Sequence, residues 1–241
     1  MRLFLQESIE FISMFEVIIT QEKKLVEKAQ VLRHRVFFGR EGKDNDPFDR
    51  FCEHLIVVDS RVERVIGTYR LLLRSVAEKH RGFYAETEFD LTNIKKNCKG
   101  ELLEIGRACV DRKYRARKVI NLMWEKIISF VRRKNIRYIF GCSSIHSPTP
   151  QKVGKIYSFF KEGYFSSSEY RVYPLKNKRY PYKSNMKFAK KEINSLLPSL
   201  IRGYLKMGAL VAGEPVWDKK FNTADFFMIA DTSNPLFPLN R

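Results

Sequence analysis

The 241-residue chain has no long apolar run, no paired cysteine spacing and little glycine or proline. No apolar stretch approaches the roughly 18–20 residues that a membrane-spanning helix needs. The four cysteines, Cys52, Cys98, Cys109 and Cys142, lack Cys-x-x-Cys spacing. This argues against a zinc site or a disulfide framework, so we expect free thiols in a reducing cytoplasm and no metal site. With 44% hydrophobic residues, the chain is predicted to fold around a sizeable core.

Acidic residues are fewer than basic ones: the chain has 27 Asp and Glu residues and 45 Lys and Arg residues, which gives a net charge of +18. A surface this positive attracts an anionic partner, such as an acidic protein, an anionic membrane or nucleic acid. The sequence has no helix-turn-helix, RRM, KH or zinc-finger pattern, so we do not expect nucleic acid as the partner. A solvated basic surface without a dedicated partner is the alternative.

The order of apolar patterns predicts an α/β protein with a mixed sheet. Residues 1–14 are predicted to be an N-terminal extension and residues 15–241 a single domain. The predicted strands are 15–19, 54–59, 62–73, 101–110, 137–142, 209–211 and 226–230, and the predicted helices are 21–38, 118–134, 150–162 and 196–206. The strand, helix and strand over 101–142 predict a crossover between parallel strands.

The run Glu101–Val110 carries charges inside an apolar strand. Glu104 and Arg107 are three residues apart with Gly106 between them, and buried charges are costly unless they are paired or used. Residues three apart on a regular strand point to opposite faces. A bulge at Gly106 would bring both side chains to one face. The run therefore predicts either a structural ion pair or a functional site.

Several runs of the sequence, in a fixed order, resemble a known family. They are Leu32–Phe38, Asp46–Asp49, Cys52–Leu55, Gly67–Leu72, Phe83–Asp90, Leu103–Val110, Phe140–Ser144, Leu197–Leu205, Gly213–Asp218 and Phe221–Asp225. Together they resemble the ornithine-lipid N-acyltransferases, a branch of the GNAT superfamily that is often labelled hemolysin-like. The front half is also similar to the acyl-homoserine lactone synthases.

The resemblance implies a GNAT-like acyltransferase fold with a β-bulge in the central strand and a C-terminal extension. It implies transfer of a (3-hydroxy)fatty acyl group from acyl carrier protein to the α-amine of an amino acid, with ornithine favoured. This would be the first step in making an amino-acid lipid. A signal synthase of the homoserine lactone type is the alternative enzyme, and a non-catalytic basic nucleic-acid- or membrane-binding module is the alternative from another class.

The resemblance also implies roles for single residues. Glu104 is the candidate base, because an amine attacks a thioester only when it is neutral, and Arg107 would hold Glu104 or the loop carboxylates in place. Two carboxylates suit an acceptor with a cationic side chain, although aspartates in such a loop also favour turns. The predicted acceptor-binding residues are Arg33, Phe37, Asp46, Asp49 and Arg70.

The donor site is predicted from the turn Arg115–Ile120. Most of the superfamily has glycines there, which cradle the pyrophosphate of coenzyme A, whereas this chain has Lys118 and Ile120. Bulky residues hinder close backbone approach, but cationic side chains can bind the single phosphate of an acyl carrier protein, an acidic partner. The predicted donor-binding residues are Val110, Arg115, Arg117, Lys118 and Ser143. We expect no separate cofactor and a cytoplasmic protein, with peripheral contact with an anionic membrane.

Overall fold

A computed structural model describes residues 14–115 and 117–238, apart from the side chain of Arg117. The predicted extension, residues 1–14, therefore lies outside the described residues except for Met14. Over the described ranges, no helix is both long and apolar enough to cross a membrane. Among these residues, contacts form two compact units, residues 14–72 with 105–133 and residues 73–104 with 134–238.

The elements have the following bounds. The strands are β1 Phe15–Thr20, β2 Glu53–Asp59, β3 Arg64–Leu73, β4 Phe89–Asp90, β5 Glu101–Val110, β6 Ile136–His146, β7 Tyr173–Pro174, β8 Leu210–Val211, β9 Val216–Asp218 and β10 Thr223–Asp231. The α-helices are α1 Lys23–Phe38, α2 Arg74–Ala77, α3 Thr92–Asn97, α4 Arg117–Arg133, α5 Pro150–Gly163, α6 Lys190–Leu196 and α7 Ser199–Lys206. Short 3₁₀ helices include Asp49–Phe51 and Tyr84–Thr87.

The first unit is a sheet with a helix on each face. Its strand order is β1-β2-β3-β5. The part of β5 that belongs to this unit is Ile105–Val110. Ile56 of β2 packs with Ala29 of α1, whereas Met123 of α4 lies against Gly67 of β3. Gly67 pairs with Val57, the residue after Ile56. Neighbouring residues of a strand point to opposite faces, so Gly67 and Ile56 face opposite sides of the sheet. The two helices therefore cover opposite faces of this sheet.

The second unit has the strand order β5-β6-β10-β8, with β9 also paired to β10. Its part of β5, Glu101–Glu104, runs parallel to β6, which confirms the predicted parallel pair. Phe226 of β10 packs edge-on against Phe160 of α5. Phe227, the next residue, points to the other face and stacks on Phe140 of β6. Each face of this sheet thus carries packed aromatic side chains.

Most predicted elements are present, with shifted ends. β5 has its predicted bounds, and Gly39 ends α1 in the left-handed region with φ 68°. The helix predicted at 196–206 is present as α7, which begins at Ser199, and the short helix α6 before it was not predicted. The break between the two helices falls at Pro198, which lacks an N–H and restricts the residue before it. The short helices between residues 74 and 97 were not predicted.

The irregularity predicted in β5 lies at Arg107 rather than at Gly106. Arg107 has φ 51°, a left-handed conformation that side chains other than glycine seldom adopt outside turns and bulges. Such a residue costs on the order of 1 kcal/mol or more. The surrounding structure must therefore hold it in place.

Candidate active site

Six charged residues of the first unit form a closed ring in which arginine and aspartate alternate. Each aspartate bridges two arginines, and each arginine bridges two aspartates. In order around the ring they are Arg33, Asp44, Arg107, Asp46, Arg70 and Asp49. Three positive charges thereby balance three negative charges in a nearly dry setting.

Arg33 of α1 is 0% exposed. Its two terminal nitrogens meet Asp49 side by side, with Nη1 3.0 Å from Oδ1 and Nη2 2.5 Å from Oδ2. Nη2 also donates to the backbone oxygen of Asp44 at 2.7 Å, and Nε lies 3.0 Å from Oδ2 of the same residue. Because every one of these partners belongs to the loop after α1, Arg33 holds the loop. Because this side chain is fully buried, a substrate cannot contact it directly.

Arg70 of β3 and Arg107 of β5 complete the ring. Nη1 of Arg70 lies 2.8 Å from Oδ2 of Asp46 and 3.4 Å from Oδ1 of Asp49. Arg107 reaches the same oxygen of Asp46 through Nη2 at 2.5 Å, and its Nε lies 3.2 Å from Oδ2 of Asp44. Arg107 is therefore fixed by the loop aspartates, which explains how its left-handed backbone is maintained.

The ring lowers the pKa values of Asp46 and Asp49. Burial alone would raise the pKa of Asp46, but Arg70 and Arg107 outweigh it and lower that pKa to about 2. Burial opposes Arg33 and Arg70 in the same way at Asp49, whose pKa is lowered. The contribution of Asp46 to stability is therefore full above its unfolded pKa of 3.8 and is lost as the pH falls towards 2.

The loop that carries the aspartates is also held by its backbone. Asp46 Oδ1 accepts from the N–H of Phe48 at 2.9 Å, a local bond of the kind that favours aspartate in turns. Gln30 of α1 donates from its side chain to Asp49 at 2.7 Å, and His54 lies 3.0 Å from the Asp49 carbonyl oxygen. Burial lowers the pKa of His54, so this histidine belongs to the support of the loop.

Glu104, the predicted base, lies in the second unit and is 5% exposed. Its two oxygens accept from the backbone N–H groups of Tyr84 and Ala85, each at 2.7 Å. These donors open the short helix Tyr84–Thr87, so Glu104 caps that helix. Glu104 and Arg107 thus bind different partners.

Three further carboxylates come together in the second unit. Glu88, Asp218 and Asp225 are buried, and one oxygen from each lies within 4.8 Å of the others. Burial, followed by the charges of Asp225 and Asp218, raises the pKa of Glu88 to about 8, against smaller opposing effects of Cys142 and Lys178. This cluster therefore has more negative charge than its surroundings balance, and it suits a cation, either a metal ion or an ammonium group.

Cys142 of β6 lies among these carboxylates. Burial, together with Glu88, Asp225 and Glu104, raises the pKa of its thiol well above the usual range. Glu104 pairs with Phe140 across β5 and β6, and Asp225 pairs with Ser144 across β10 and β6. Since alternate residues of a strand share a face, the side chains of Glu104, Cys142 and Asp225 lie on one face of this sheet.

The predicted donor residues fall in different places. Arg115 and Lys118 are exposed around the start of α4, and Nε of Arg115 donates to the Val110 carbonyl oxygen at 3.3 Å. The side chain of Arg117 lies outside the described residues. Ser143 is buried in β6 of the second unit, on the face opposite to Cys142. The structure brings Val110, Arg115 and Lys118 into one region but does not bring Ser143 onto the Glu104 face.

The predicted acceptor residues are also redistributed. Arg33, Asp46, Asp49 and Arg70 meet in the ring, whereas Phe37 packs against the apolar cluster between α1 and the sheet. The prediction missed Asp44 in the ring and the three members of the buried cluster. A signal for the cluster existed, because Glu88, Asp218 and Asp225 all lie in runs that carry the family resemblance.

Comparisons with known proteins agree with this fold. Residues 30–125 match a family model described as an acetyltransferase (GNAT) domain. The chain is 32% identical over 240 residues to an L-ornithine N(alpha)-acyltransferase of Brucella abortus (strain 2308), with 90% of this chain and 84% of that relative covered.

Two solved structures are similar in fold. One is FeeM, an N-acyl amino acid synthase from uncultured soil microbes, with a TM-score of 0.57 at 8% identity, covering 94% of this chain and 96% of that one. The other is BjaI, a CoA-dependent acyl-homoserine lactone synthase, with a TM-score of 0.54 at 12% identity, covering 94% of this chain and 87% of that one. At these identities the likeness shows the fold alone.

Fold and family model together define an acyltransferase of the GNAT type. Within that class, the chain belongs to the L-ornithine N(alpha)-acyltransferase family. It is therefore an enzyme, and the alternative of a non-catalytic binding module is excluded.

The ring predicts a large cost for removing one of its charges. Asp49→Asn should lower the free energy of unfolding by about 3 kcal/mol, because Arg33 and Arg70 are left buried with too little negative charge. The matched control is Glu27→Gln, which breaks an exposed pair with Lys43 on the same unit and should change stability by no more than about 0.5 kcal/mol. Urea denaturation monitored by circular dichroism measures both. Equal effects of the two substitutions would contradict the ring as a stabilising unit.

The buried cluster predicts a stability that falls as the pH rises. The pKa of Glu88 is about 8 in the folded protein and 4.5 in the unfolded chain. Its contribution to stability is therefore full below about pH 4.5 and is lost as the pH rises towards 8. Glu88→Gln keeps the neutral form, and the Tm of this variant relative to wild type should increase from pH 5 to pH 9. Glu162→Gln, on an exposed part of α5, should follow the wild-type curve. Parallel curves for wild type and Glu88→Gln would show that Glu88 does not hold a proton.

Proposed function

We propose that this enzyme transfers a (3-hydroxy)fatty acyl group from acyl carrier protein to the α-amine of ornithine, and so begins the synthesis of an amino-acid lipid. Membership of a family whose relative in Brucella abortus is named L-ornithine N(alpha)-acyltransferase is the observation that carries the proposal. The product would be the lyso precursor of that lipid.

Glu104 is the group that receives the amine in this proposal. The α-ammonium of the acceptor donates to the Glu104 carboxylate, which takes one proton and leaves a neutral amine. The amine nitrogen then attacks the thioester carbon and a C–N bond forms. The C–S bond breaks, the nitrogen gives up its second proton, and the sulfur takes that proton and leaves as a thiol. Glu104 can serve because its carboxylate is held by two backbone N–H groups at 2.7 Å, which fixes its position before the acceptor arrives.

Acyl carrier protein is proposed as the donor because of charge and turn sequence. The net charge of +18 favours encounter with an acidic protein. Arg115 and Lys118 are exposed where α4 begins, and each can reach a single phosphate as a cation. The same charge supports peripheral contact of a cytoplasmic enzyme with an anionic membrane surface.

The product tests the reaction. Purified enzyme incubated with 3-hydroxyacyl carrier protein and ornithine should yield N-acyl ornithine by mass spectrometry, and Glu104→Gln should lower kcat by about a hundredfold because base catalysis is lost. Glu101→Gln is the matched control. It lies on the same strand, and its carboxylate also accepts backbone N–H groups, from Ser75 and Leu102. An acyl-homoserine lactone product, or equal losses in both variants, would overturn the assignment.

The donor is tested separately. We expect kcat/KM for acyl carrier protein to exceed that for the matching acyl-CoA by at least about tenfold and to fall as salt is added. Lys118→Glu should raise KM for the carrier protein but not for acyl-pantetheine. Lys134→Glu, an exposed residue just beyond the other end of α4, controls for the change in net charge. Comparable turnover with both donors would refute the carrier-protein assignment.

A further inference from the structure

We propose that Glu88, Asp218 and Asp225 form the pocket that receives the cationic side chain of the acceptor amino acid. The inference rests on the proposed function, because it assigns acceptor specificity to residues beside Glu104. The residues that the sequence predicted for this role were Asp46 and Asp49 instead.

The ring aspartates are poorly suited to this task. Asp44, Asp46 and Asp49 face three arginines, so the ring already has no net charge. A substrate cation that approached them would have to compete with guanidinium groups at 2.5 to 3.4 Å. An ammonium group gains most where buried carboxylates outnumber buried cations.

The buried cluster meets that condition. Asp225 and Asp218 raise the pKa of Glu88, whereas the cation Lys178 has the smallest effect on that pKa. Glu88 is 2% exposed, and its Oε2 has no hydrogen-bond partner among the described residues. A buried acceptor without a donor is costly. Asp218 accepts from the hydroxyl of Tyr84 and from the backbone N–H groups of Lys220 and Phe221, and Cys142 hydrogen-bonds to Glu88. The acceptor that still needs a donor is therefore Oε2 of Glu88, and a ligand ammonium, with up to three N–H groups, could supply it.

The cluster lies next to the predicted base. Glu104 caps the helix Tyr84–Thr87 at its first residues, and Glu88 directly follows the last one. The hydroxyl of Tyr84 lies 3.5 Å from Oδ2 of Asp218, while the N–H of the same residue binds Glu104. An acceptor with its α-amine at Glu104 thus has its side chain within reach of three carboxylates.

The cluster is close to solvent on one side. Tyr84 and Cys142 are partly exposed, and Cys142 lies within electrostatic reach of Glu88, Asp225 and Glu104 together. The charged and titratable groups that act on the pKa of Glu88 are Asp218, Asp225, Cys142 and Lys178. In this proposal the amino acid reaches the cluster past Tyr84 and Cys142.

Paired acceptors test the proposal. Acyl transfer to ornithine is compared with transfer to 2-aminopentanoate, which has the same carbon skeleton without the terminal ammonium. We expect wild type to prefer ornithine by about a hundredfold or more in kcat/KM, and Glu88→Gln and Asp225→Asn to lower that ratio at least tenfold, mainly through KM for ornithine. Glu162→Gln, on the exposed part of α5, should leave the ratio unchanged. A ratio that is the same in wild type and in both cluster variants overturns the inference.

Direct binding separates this inference from the proposed function. Calorimetry with ornithine alone should show binding to wild type that is weakened at least tenfold in Glu88→Gln, with folding checked by circular dichroism. If wild type makes no N-acyl amino acid but this binding pattern holds, the proposed function fails and the pocket stands. If N-acyl ornithine forms but ornithine binds wild type and Glu88→Gln equally, the pocket fails and the function stands. Stabilisation of wild type by Mg²⁺, Mn²⁺ or Ca²⁺ but not by ornithine would make the cluster a metal site and overturn the inference.

Discussion

The alternating ring of three arginines and three aspartates is the interaction on which the first unit depends. A single buried ion pair often fails to recover the cost of removing two charges from water. In the ring each charged side chain has two neighbours of opposite charge, so two attractions offset the cost of removing that charge from water. Because its members come from α1, the following loop, β3 and β5, the ring also fixes those four segments together and holds Arg107 in its left-handed conformation.

The two groups of carboxylates differ in the charges that surround them. In the ring, arginines lower the pKa of Asp46 to about 2, so its charge is satisfied before any ligand arrives. In the buried cluster, burial and like charges raise the pKa of Glu88 to about 8. Both groups are equally hidden from solvent, so exposure does not distinguish them. The sign of the pKa shift does, because it reports whether the protein itself supplies the counter-charge.

Local pattern predicted the elements well and the side-chain partners poorly. The bounds of β5, the glycine that ends α1 and the parallel pairing of β5 with β6 follow from apolar spacing and backbone rules. The partners of Glu104 could not be predicted from spacing, since Tyr84 and Ala85 approach it only through the fold. Asp218 and Asp225 are more than a hundred residues from Glu88, and only the tertiary structure brings such residues together. The sequence therefore pointed to Asp46 and Asp49, an acidic pair close together in the chain, whereas the cluster that we propose as the cation pocket is visible only in the fold.

One short helix links the proposed chemistry to the proposed specificity. Glu104 accepts the first two N–H groups of Tyr84–Thr87, and these bonds hold its carboxylate in place. Glu88 follows the same helix, so any shift of the cap moves an acidic cluster residue as well. A cation that settles between Glu88, Asp218 and Asp225 would relieve their repulsion and tighten this end of the helix. Recognition of the acceptor side chain would then hold the Glu104 carboxylate in position for the α-amine, so that binding energy from the far end of the substrate is used at the reacting end.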